Sequence, residues 1–232
     1  MNLFYQPLIP EGLHHLDEEE SRHCVKVLRK SVGDTIHLTD GKGFFYQAFI
    51  TRADARKCEF SLQKAIRSEA KSYSIHIAVS PTKNADRIEW FVEKATEFGI
   101  DTISLINCEN SERSFIKIER LQKLAISAMK QSIKSTLPAI REVVEFPTFV
   151  RSCDEIGRFV AYVDHENPIH LKNVVRKNQS TVVLIGPEGD FTPGEIELAN
   201  ASGFVKVSLG QSRLRTETAA IAACHIANLA ND

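Results

Sequence analysis

The sequence lacks any long hydrophobic run. No apolar stretch among its 232 residues approaches the roughly 18 consecutive residues that a membrane-spanning helix needs. Residues 1–20 have neither a basic start nor an apolar core, so they do not read as a secretory signal. These absences predict a soluble protein that is not exported and that works in the cytoplasm without a membrane partner.

Paired cysteines are also missing. The five cysteines are an odd number, and no C-x-x-C pair occurs among them. This usage fits ordinary, half-buried reduced thiols in a cytosol better than a disulfide framework or a zinc site. The adjacent His14 and His15 have no matching ligand cluster elsewhere in the chain, so no metal site is predicted.

An excess of positive charge is absent as well. Lys and Arg number 29 against 30 Asp and Glu, which excludes nucleic-acid binding through bulk charge. The distribution is uneven, however, because residues 111–141 carry seven basic and two acidic side chains, a local charge of +5. Such a segment fits a solvated helix face and a phosphate-binding surface equally well.

Three common catalytic motifs do not occur in the sequence. There is no G-x-x-x-x-G-K-[ST], which excludes a P-loop nucleotide hydrolase, and no G-x-S-x-G nucleophile elbow. No G-x-G-x-x-G opens an early strand–helix–strand unit, so the usual dinucleotide or class I methyltransferase site is missing.

The first part of the chain is rich in predicted strands. An Asp-Gly turn at 40–43 separates two β-rich runs and predicts a hairpin. Asp17, with Glu20 three residues on, predicts the start of one helix. The predicted strands are Leu3–Tyr5, Thr35–Thr39, Phe44–Arg52 and Lys57–Lys64. This content indicates a small barrel or a compact sheet.

The polar segment Arg67–Ser72 predicts a domain boundary, with one domain at 1–70 and another at 73–232. Beyond it, strands and helices alternate, which is typical of an α/β domain with a largely parallel sheet. The predicted strands are Ser74–Val79, Thr102–Ile106, Phe159–Asp164, Thr181–Gly186 and Val205–Leu209. The predicted helices are Asp86–Phe98, Lys117–Ser132, Thr192–Ser202 and Glu217–Ala230.

Two glycine-bearing loops each follow a predicted strand of the second domain. One covers Ile185–Phe191 and the other Leu209–Ala219. Glycine lets backbone N–H groups approach a ligand closely, and Thr216 is a suitable N-cap for the last helix. Because open ligand sites in α/β sheets lie beyond the carboxyl ends of strands, we expect both loops at one sheet edge.

These loops belong to a larger set of segments that resembles one known family. The sequences of Leu184–Glu195 (LIGPEGDFTPGE) and Leu209–Ala219 (LGQSRLRTETA) resemble the signature of RsmE-type 16S rRNA methyltransferases. His23–Arg29 (HCVKVLR) resembles the family's H-x-x-x-V-L-R segment, and Lys94–Gly99 falls at the family's spacing between them. The resemblance therefore covers nearly the whole chain.

The resemblance implies a fold, a cofactor and a substrate. The fold is α/β: a small N-terminal PUA-like β-barrel followed by a C-terminal SPOUT domain with a deep trefoil knot. It also implies a homodimer that transfers a methyl group from S-adenosylmethionine to uridine N3 in 16S rRNA of the small ribosomal subunit. Rules of chain connectivity argue against knots, so sequence patterning alone does not predict this one.

The resemblance also implies roles for individual residues. The cofactor-binding candidates are Leu184, Ile185, Gly186, Pro187, Glu188, Gly189, Leu209, Gly210, Leu214, Arg215 and Thr216, with Asp164–Glu166 as a third wall. The RNA-binding candidates are Arg29, Arg113, Ser114, Gln131 and Lys134. Arg215 is expected to stabilise negative charge on the uracil oxygens, while Glu217 orients it or accepts the N3 proton. Alternatively, Arg215 and Glu217 form a buried ion pair that holds the last helix.

Three positions depart from the family pattern. Asp190 stands where the family has a second glycine, which predicts an altered backbone or a charge near the cofactor. Lys130 replaces a glutamate, and Lys134 replaces an arginine. Lysine keeps the charge of arginine but loses its planar fork of donors.

Three other functions remain open at the level of sequence. A related SPOUT enzyme that methylates a ribose 2′-OH or a tRNA would have the same cofactor loops. A non-catalytic RNA-binding assembly factor would keep the fold, and only Asp190 favours it. A metabolic α/β enzyme would have no affinity for ribosomal particles.

Overall fold

The chain forms two compact units in a computed structural model that describes residues 2–112, 115–162 and 169–232. The first unit contains the chain up to Ala70 together with Ile126–Leu137. The second contains Lys71–Ala125 and Pro138–Asp232. The segment 126–137 therefore belongs to the first unit, although the sequence analysis assigns it to the second region.

The first unit is built on a four-stranded sheet. Its elements are β1 (Leu3–Tyr5), α1 (Glu18–Arg22), β2 (Thr35–Thr39), β3 (Phe44–Arg52) and β4 (Glu59–Arg67). The strand order is β1-β2-β3-β4, with β1 parallel to β2 and the other pairs antiparallel. The Asp17 side chain caps α1 by accepting from Glu20 N at 2.8 Å, as predicted. A π-helical segment, His23–Val27, follows α1.

The predicted hairpin turn is held by one buried carboxylate. Asp40 accepts hydrogen bonds from Lys42 N at 2.7 Å and from Phe44 N at 3.2 Å. The Tyr46 hydroxyl donates to the same carboxylate at 3.1 Å. This local bonding explains why an Asp-Gly sequence turns the chain here.

Residues 126–137 join the first unit through hydrogen bonds to the same turn. Gly43 N donates to Ser135 O at 2.9 Å, and Leu137 N donates to Gly41 O at 2.9 Å. The Ser68 hydroxyl donates to Ser135 Oγ at 2.6 Å. These bonds satisfy backbone groups that would otherwise need water, so the returning segment is an integral part of the unit.

The second unit is built on a six-stranded, fully parallel sheet with the order β10-β8-β9-β5-β6-β7. Its strands are β5 (Ser74–Val79), β6 (Thr102–Asn107), β7 (Ala139–Glu145), β8 (Gly157–Ala161), β9 (Ser180–Ile185) and β10 (Val205–Val207). Its helices are α2 (Ala85–Phe98), α4 (Phe146–Ser152), α5 (Pro193–Ala201) and α6 (Thr216–Leu229), and α3 (Ile118–Gln131) leads from it into the first unit. The predicted α/β class with a parallel sheet is confirmed.

The apolar pattern of the sequence explains most of these elements. The strands β5 and β9 are buried along almost their whole length, which is typical of central parallel strands. α2 buries Ile88, Phe91 and Val92 and ends at Gly99, whose φ of 80° suits glycine. Thr192 and Glu195 form the predicted capping box of α5. β7 and α4 are not predicted by the sequence pattern.

Within the described parts of the chain, no helix is both long and apolar enough to span a bilayer. All five cysteines are free, and four of them are buried.

Candidate active site

Three described loops of the second unit, those after β5, β9 and β10, lie at one edge of its sheet. Since all described strands of that sheet run parallel, the residues that follow β5, β8, β9 and β10 leave from the same side. The two glycine-bearing loops follow β9 and β10, as predicted, with β8 between those strands. This arrangement is where open α/β sheets bind ligands.

The β9–α5 loop is packed tightly by side chains of the chain itself. A Cβ on Gly186 would lie 3.1 Å from the Phe191 ring, and one on Gly189 would lie 3.1 Å from Asn110 Cβ. The Asn110 amide also donates to the carbonyl of Gly189 at 3.2 Å. The space that a side chain would take at these two glycines is therefore occupied by Phe191 and Asn110.

Leu184, Ile185 and Pro187, three of the predicted cofactor-binding residues, are buried where β9 ends. Glu188 is half-buried and Gly189 is exposed. The loop thus presents its polar residues, rather than its apolar ones, to solvent.

Asp190 adopts a backbone conformation that is typical of glycine. Its φ of 63° lies in the left-handed region, which aspartate tolerates better than most residues. Its carboxylate accepts from Phe191 N at 2.8 Å, while its own N–H donates to Pro187 O at 3.0 Å. Its charge is thus directed at its own loop, and burial raises the pKa of the Asp190 carboxyl.

The start of α6 differs from the prediction. Arg215 is the N-cap residue and Thr216 is the first helical residue, so the expected Thr216 cap is wrong. The Thr216 hydroxyl instead donates to Gly186 O at 3.1 Å and ties the two glycine-bearing loops together. No side chain of the described residues caps α6, which leaves the N–H groups of its first turn for another acceptor.

The loop before α6 is mostly open to solvent. Gly210 is exposed with a φ of 127°, a conformation that other residues rarely adopt. Leu209 and Leu214 are half-buried on either side of the exposed segment 210–213.

Arg215 and Glu217, the predicted catalytic pair, make no ion pair with each other. Arg215 is exposed, whereas Glu217 is buried and lies with Oε1 3.9 Å from Arg87 Nε. The alternative of a buried Arg215–Glu217 ion pair is therefore wrong. Residues two positions apart at a helix start point in different directions, so their proximity in sequence does not bring the charges together.

The loop between β5 and α2 supplies residues that the sequence analysis missed. Ser80 N donates to Ile185 O at 3.0 Å, and Lys83 N donates to Glu188 Oε1 at 3.2 Å. Arg87, in the first turn of α2, lies with Nη1 3.8 Å from Glu188 Oε1. Arg87 follows the first strand of the second domain, but only the sheet order shows that this strand lies beside β9.

Two acidic side chains give the site its acceptor chemistry. The Oε2 atoms of Glu188 and Glu217 are buried and have no hydrogen-bond partner among the described residues. Buried carboxylate oxygens are costly to leave unpaired, so they favour a ligand with positive charge and with N–H or O–H donors. The uncapped start of α6 adds donors for a polar group on the same ligand.

The predicted RNA-binding residues lie in the first unit where they are described. Arg29 is exposed with a φ of 54°, Gln131 is exposed, and Lys134 is half-buried. Arg113 and Ser114 lie outside the described residues, as does the third cofactor wall at Asp164–Glu166. Within the described residues, no group of three or more His, Cys, Asp or Glu side chains forms a metal-binding cluster.

Two family models match the chain, and the boundary between them falls close to the domain boundary that the sequence predicts. The model of the RNA methyltransferase domain matches residues 68–228. The model of the RNA methyltransferase PUA domain matches residues 16–63. The first match alone covers more than half of the chain.

Individual relatives extend over both regions. The ribosomal RNA small subunit methyltransferase E of Rickettsia conorii is 29% identical over 204 residues, which cover 87% of this chain and 83% of that protein. The crystal structure of a probable rRNA-methyltransferase from Porphyromonas gingivalis is 41% identical, with a TM-score of 0.94 over 100% of this chain and 98% of that one.

A third relative is a ribosomal RNA small subunit methyltransferase E from Neisseria gonorrhoeae, solved bound to S-adenosyl methionine. It is 26% identical, with a TM-score of 0.84 over 97% of this chain and 95% of that one. The family models, the relatives and the two glycine-bearing loops agree, and the chain belongs to the ribosomal RNA small subunit methyltransferase E (RsmE) family.

Proposed function

We propose that this chain transfers a methyl group from S-adenosylmethionine to N3 of a specific uridine in 16S rRNA of the small ribosomal subunit. The observation that carries the proposal is the junction of the two family-typical loops, where the Thr216 hydroxyl donates to Gly186 O at 3.1 Å. Relatives named for this reaction match most of the chain, and one of them is bound to S-adenosyl methionine.

The residues at the sheet edge fit this cofactor. The segments 184–189 and 209–216 would hold it, with the buried Glu188 and Glu217 oxygens as acceptors for its amino and hydroxyl groups. The carboxylates of Glu188 and Glu217 also suit a cation. When bound, S-adenosylmethionine supplies an electrophilic methyl group on a sulfonium leaving group.

The side chains around the cofactor segments would act on the uracil. An imide N3–H is a weak acid, so the site must accept its proton and stabilise the negative charge that spreads to the ring oxygens. Arg215 is exposed at the start of α6 and is always protonated, which suits it to the charge-stabilising role. Glu217 is the proposed proton acceptor, since its carboxylate is buried at the start of α6, two residues after Arg215.

The rRNA contacts are proposed for the first unit and the start of α3. Arg29, Gln131 and Lys134 belong to the first unit, and Arg113 and Ser114 precede α3 in sequence. These residues lie in or near the two features of the chain that most favour RNA binding. These are the H-x-x-x-V-L-R segment and the basic stretch at 111–141. Phosphate contacts would position the subunit, while contacts to exposed bases would select the uridine.

The remaining parts of the proposal concern assembly and topology. We propose a cytoplasmic homodimer with a PUA-like domain at 1–70 and a SPOUT domain with a trefoil knot at 73–232. The parallel sheet and the two family models support this division. Sedimentation analysis of the purified chain tests the dimer.

Methyl transfer to small subunits that lack the modification tests the function. We expect one methyl group per subunit, and mass spectrometry of rRNA fragments should place it on uracil N3. A mark on a ribose 2′-OH or on tRNA would identify another enzyme of the same fold. Failure to bind S-adenosylmethionine in a calorimetric titration would instead favour a non-catalytic assembly factor.

The variant Arg215→Ala tests the proposed charge-stabilising residue. Because Arg215 is exposed, its removal should leave the melting temperature nearly unchanged while it abolishes turnover. Single-turnover kinetics and circular dichroism provide the two measurements. Single-turnover rates near those of the wild type would remove Arg215 from the mechanism, and Arg215→Lys shows whether charge alone suffices.

A further inference from the structure

Arg87 touches both of the loops that form the candidate active site. It lies in the first turn of α2, which follows β5 at the same sheet edge. Its Nη1 atom is 3.8 Å from Glu188 Oε1 in the β9–α5 loop, and its Nε atom is 3.9 Å from Glu217 Oε1 at the start of α6. One guanidinium thus stands between two carboxylates that come from different loops.

The side chains of this cluster are more buried than those of an ordinary surface ion pair. The side chains of Glu217, Glu188 and Arg87 are 11%, 29% and 35% exposed. Exposed ion pairs contribute little because water screens them, but burial strengthens the interaction between charges. The Oε2 atom of each glutamate is fully buried, so the carboxylates cannot turn to water.

Arg87 is the cation that contacts both carboxylates of the cluster. The ammonium group of Lys83, the neighbouring cation, lies 2.7 Å from Glu112. Without Arg87, Glu188 and Glu217 would lose the one guanidinium that lies within 3.9 Å of both carboxylates, and their negative charges would be less well compensated. The β9–α5 loop and the start of α6 would then be held together less firmly.

Other bonds hold the same elements together. The hydrogen bonds from Thr216 to Gly186 O and from Ser80 N to Ile185 O do not involve Arg87. α2 also packs against α6, where the rings of Phe98 and His225 lie 4.9 Å apart. The fold should therefore survive the loss of Arg87, and the effect should be confined to the geometry of the loops.

We propose that Arg87 is a positioning residue, which holds the carboxylates of Glu188 and Glu217 in place and so fixes the two cofactor-binding loops relative to each other. This inference rests on the proposed function of the loops. It assigns Arg87 no contact with the reacting atoms. Its role is to keep two acceptor groups oriented for the cationic cofactor, which an unsupported pair of loops would hold less well.

Calorimetric titration of the full-length chain with S-adenosylmethionine tests the inference. Arg87→Ala should raise the Kd by about tenfold, because coupled neighbouring charges of this kind interact over roughly that range. Arg87→Lys should recover only part of the affinity, since a single ammonium group does not span two carboxylates as a planar fork does. The melting temperature of each variant shows whether it is folded.

The matched control is Lys94→Ala. Lys94 also lies on α2 between two glutamates, Glu93 and Glu97, at 2.7 and 2.9 Å, but it touches neither loop. Its removal should leave the Kd for S-adenosylmethionine unchanged. An equal loss of affinity in both variants would assign the effect to the stability of α2 and overturn the inference.

A second variant shows whether Arg87 acts through the carboxylates. In the background of Glu217→Gln, Arg87→Ala should cost less affinity than it does in the wild type. Additive losses would overturn the positioning role, as would wild-type affinity in a folded Arg87→Ala or Arg87→Lys chain. A wild-type chain that binds no S-adenosylmethionine would overturn the proposed function itself, which is a separate outcome.

Steady-state kinetics give an independent readout. A positioning role predicts that Arg87→Ala raises KM for S-adenosylmethionine, because uniform binding is lost, and that it also lowers kcat, because the proposed proton acceptor Glu217 is held less well. KM for the small subunit should stay near the wild-type value. An unchanged KM for S-adenosylmethionine would overturn the positioning role.

Discussion

Gly186, a predicted cofactor-binding residue, also serves the packing of its loop. A Cβ at this position would lie 3.1 Å from two atoms of the Phe191 ring. That ring is buried, and its centroid lies 5.4 Å from that of the Phe146 ring, so a shift of Phe191 would disturb a packed contact. Gly186→Ala should therefore lower the free energy of unfolding by about 1–3 kcal/mol, the usual cost of overpacking.

Urea denaturation measures this effect, and Gly194→Ala is its control. A Cβ on Gly194 would meet nothing within 4 Å, and the residue lies in the first turn of α5. Alanine there should be neutral or stabilising by up to about 1 kcal/mol. Equal stability of the two variants would show that Phe191 adapts after all.

The conformation of Asp190 explains how the chain accommodates aspartate where the family pattern has glycine. Its left-handed φ of 63° is the conformation that a glycine would adopt easily. The substitution thus keeps the backbone of the loop and adds one hydrogen bond, from Phe191 N. It gives no reason to favour a non-catalytic protein.

At the scale of elements, the His76 side chain on β5 contacts one residue of β6 and one residue that precedes β8. Its Nδ1 lies 2.5 Å from Glu155 Oε1, just before β8, and its Nε2 lies 2.8 Å from Ser104 Oγ on β6. Burial raises the pKa of the Glu155 carboxyl, but the interactions with His76, a backbone hydrogen bond and the charge of Arg141 together hold it below its usual value. The carboxylate is therefore stabilised by the folded state.

A lowered pKa in the folded state fixes the sign of the pH dependence. The Glu155 contribution is fully present above the unfolded pKa of about 4.3 and is lost as the pH falls through the lower folded value. Glu155→Gln should thus be less stable than the wild type by about 1 kcal/mol at pH 7. Urea midpoints of the two proteins should converge below about pH 4, and a constant difference would contradict this account.

Lys130, near the end of α3, is explained by a partner on α1. Its ammonium group donates to the Glu20 carboxylate, and the two side chains are only 23% and 10% exposed. Lys130→Glu restores the residue of the family pattern, yet it should destabilise this chain by about 2–4 kcal/mol, because it places two carboxylates together. The double variant Glu20→Lys, Lys130→Glu should recover most of the loss.

Thermal unfolding of the two variants tests the pair, with Lys123→Glu as control. Lys123 is exposed on the same helix, so its reversal should change stability by less than about 0.5 kcal/mol. If the double variant were no more stable than Lys130→Glu alone, the pairing with Glu20 would not be the reason for the lysine.

Some of the helices and strands could be predicted from the sequence, and others could not. Elements with a strong apolar pattern, such as β5 and α2, could be placed to within a residue or two. β7 could not, because it is an edge strand that carries Arg141 and Glu142 in a largely exposed run. The partners of Glu217 and Lys130 depend on which elements are adjacent in space, and no local pattern holds that information.

The whole molecule is nearly neutral, although its proposed substrate is a polyanion. Its formal net charge is −1, so long-range attraction to rRNA must come from local clusters rather than from the total. Three of the proposed RNA-binding residues, Arg29, Gln131 and Lys134, belong to one compact unit although about 100 residues of sequence separate them. The returning segment 126–137 is what brings them into the same unit.

This organisation predicts the salt dependence of binding to the small subunit. Arg29→Gln removes one charge from the first unit and keeps a side chain of similar length on a residue with a φ of 54°. If Arg29 contacts a phosphate, the slope of log K against log salt concentration should become shallower by about 0.7–0.9. The control is Arg52→Gln, because Arg52 is exposed in the same unit but is paired with Asp54 and Glu59 at 3.4 and 3.9 Å. Filter binding at several salt concentrations measures both slopes, and an equal change in the two variants would mean that the unit attracts RNA through its overall charge rather than through Arg29.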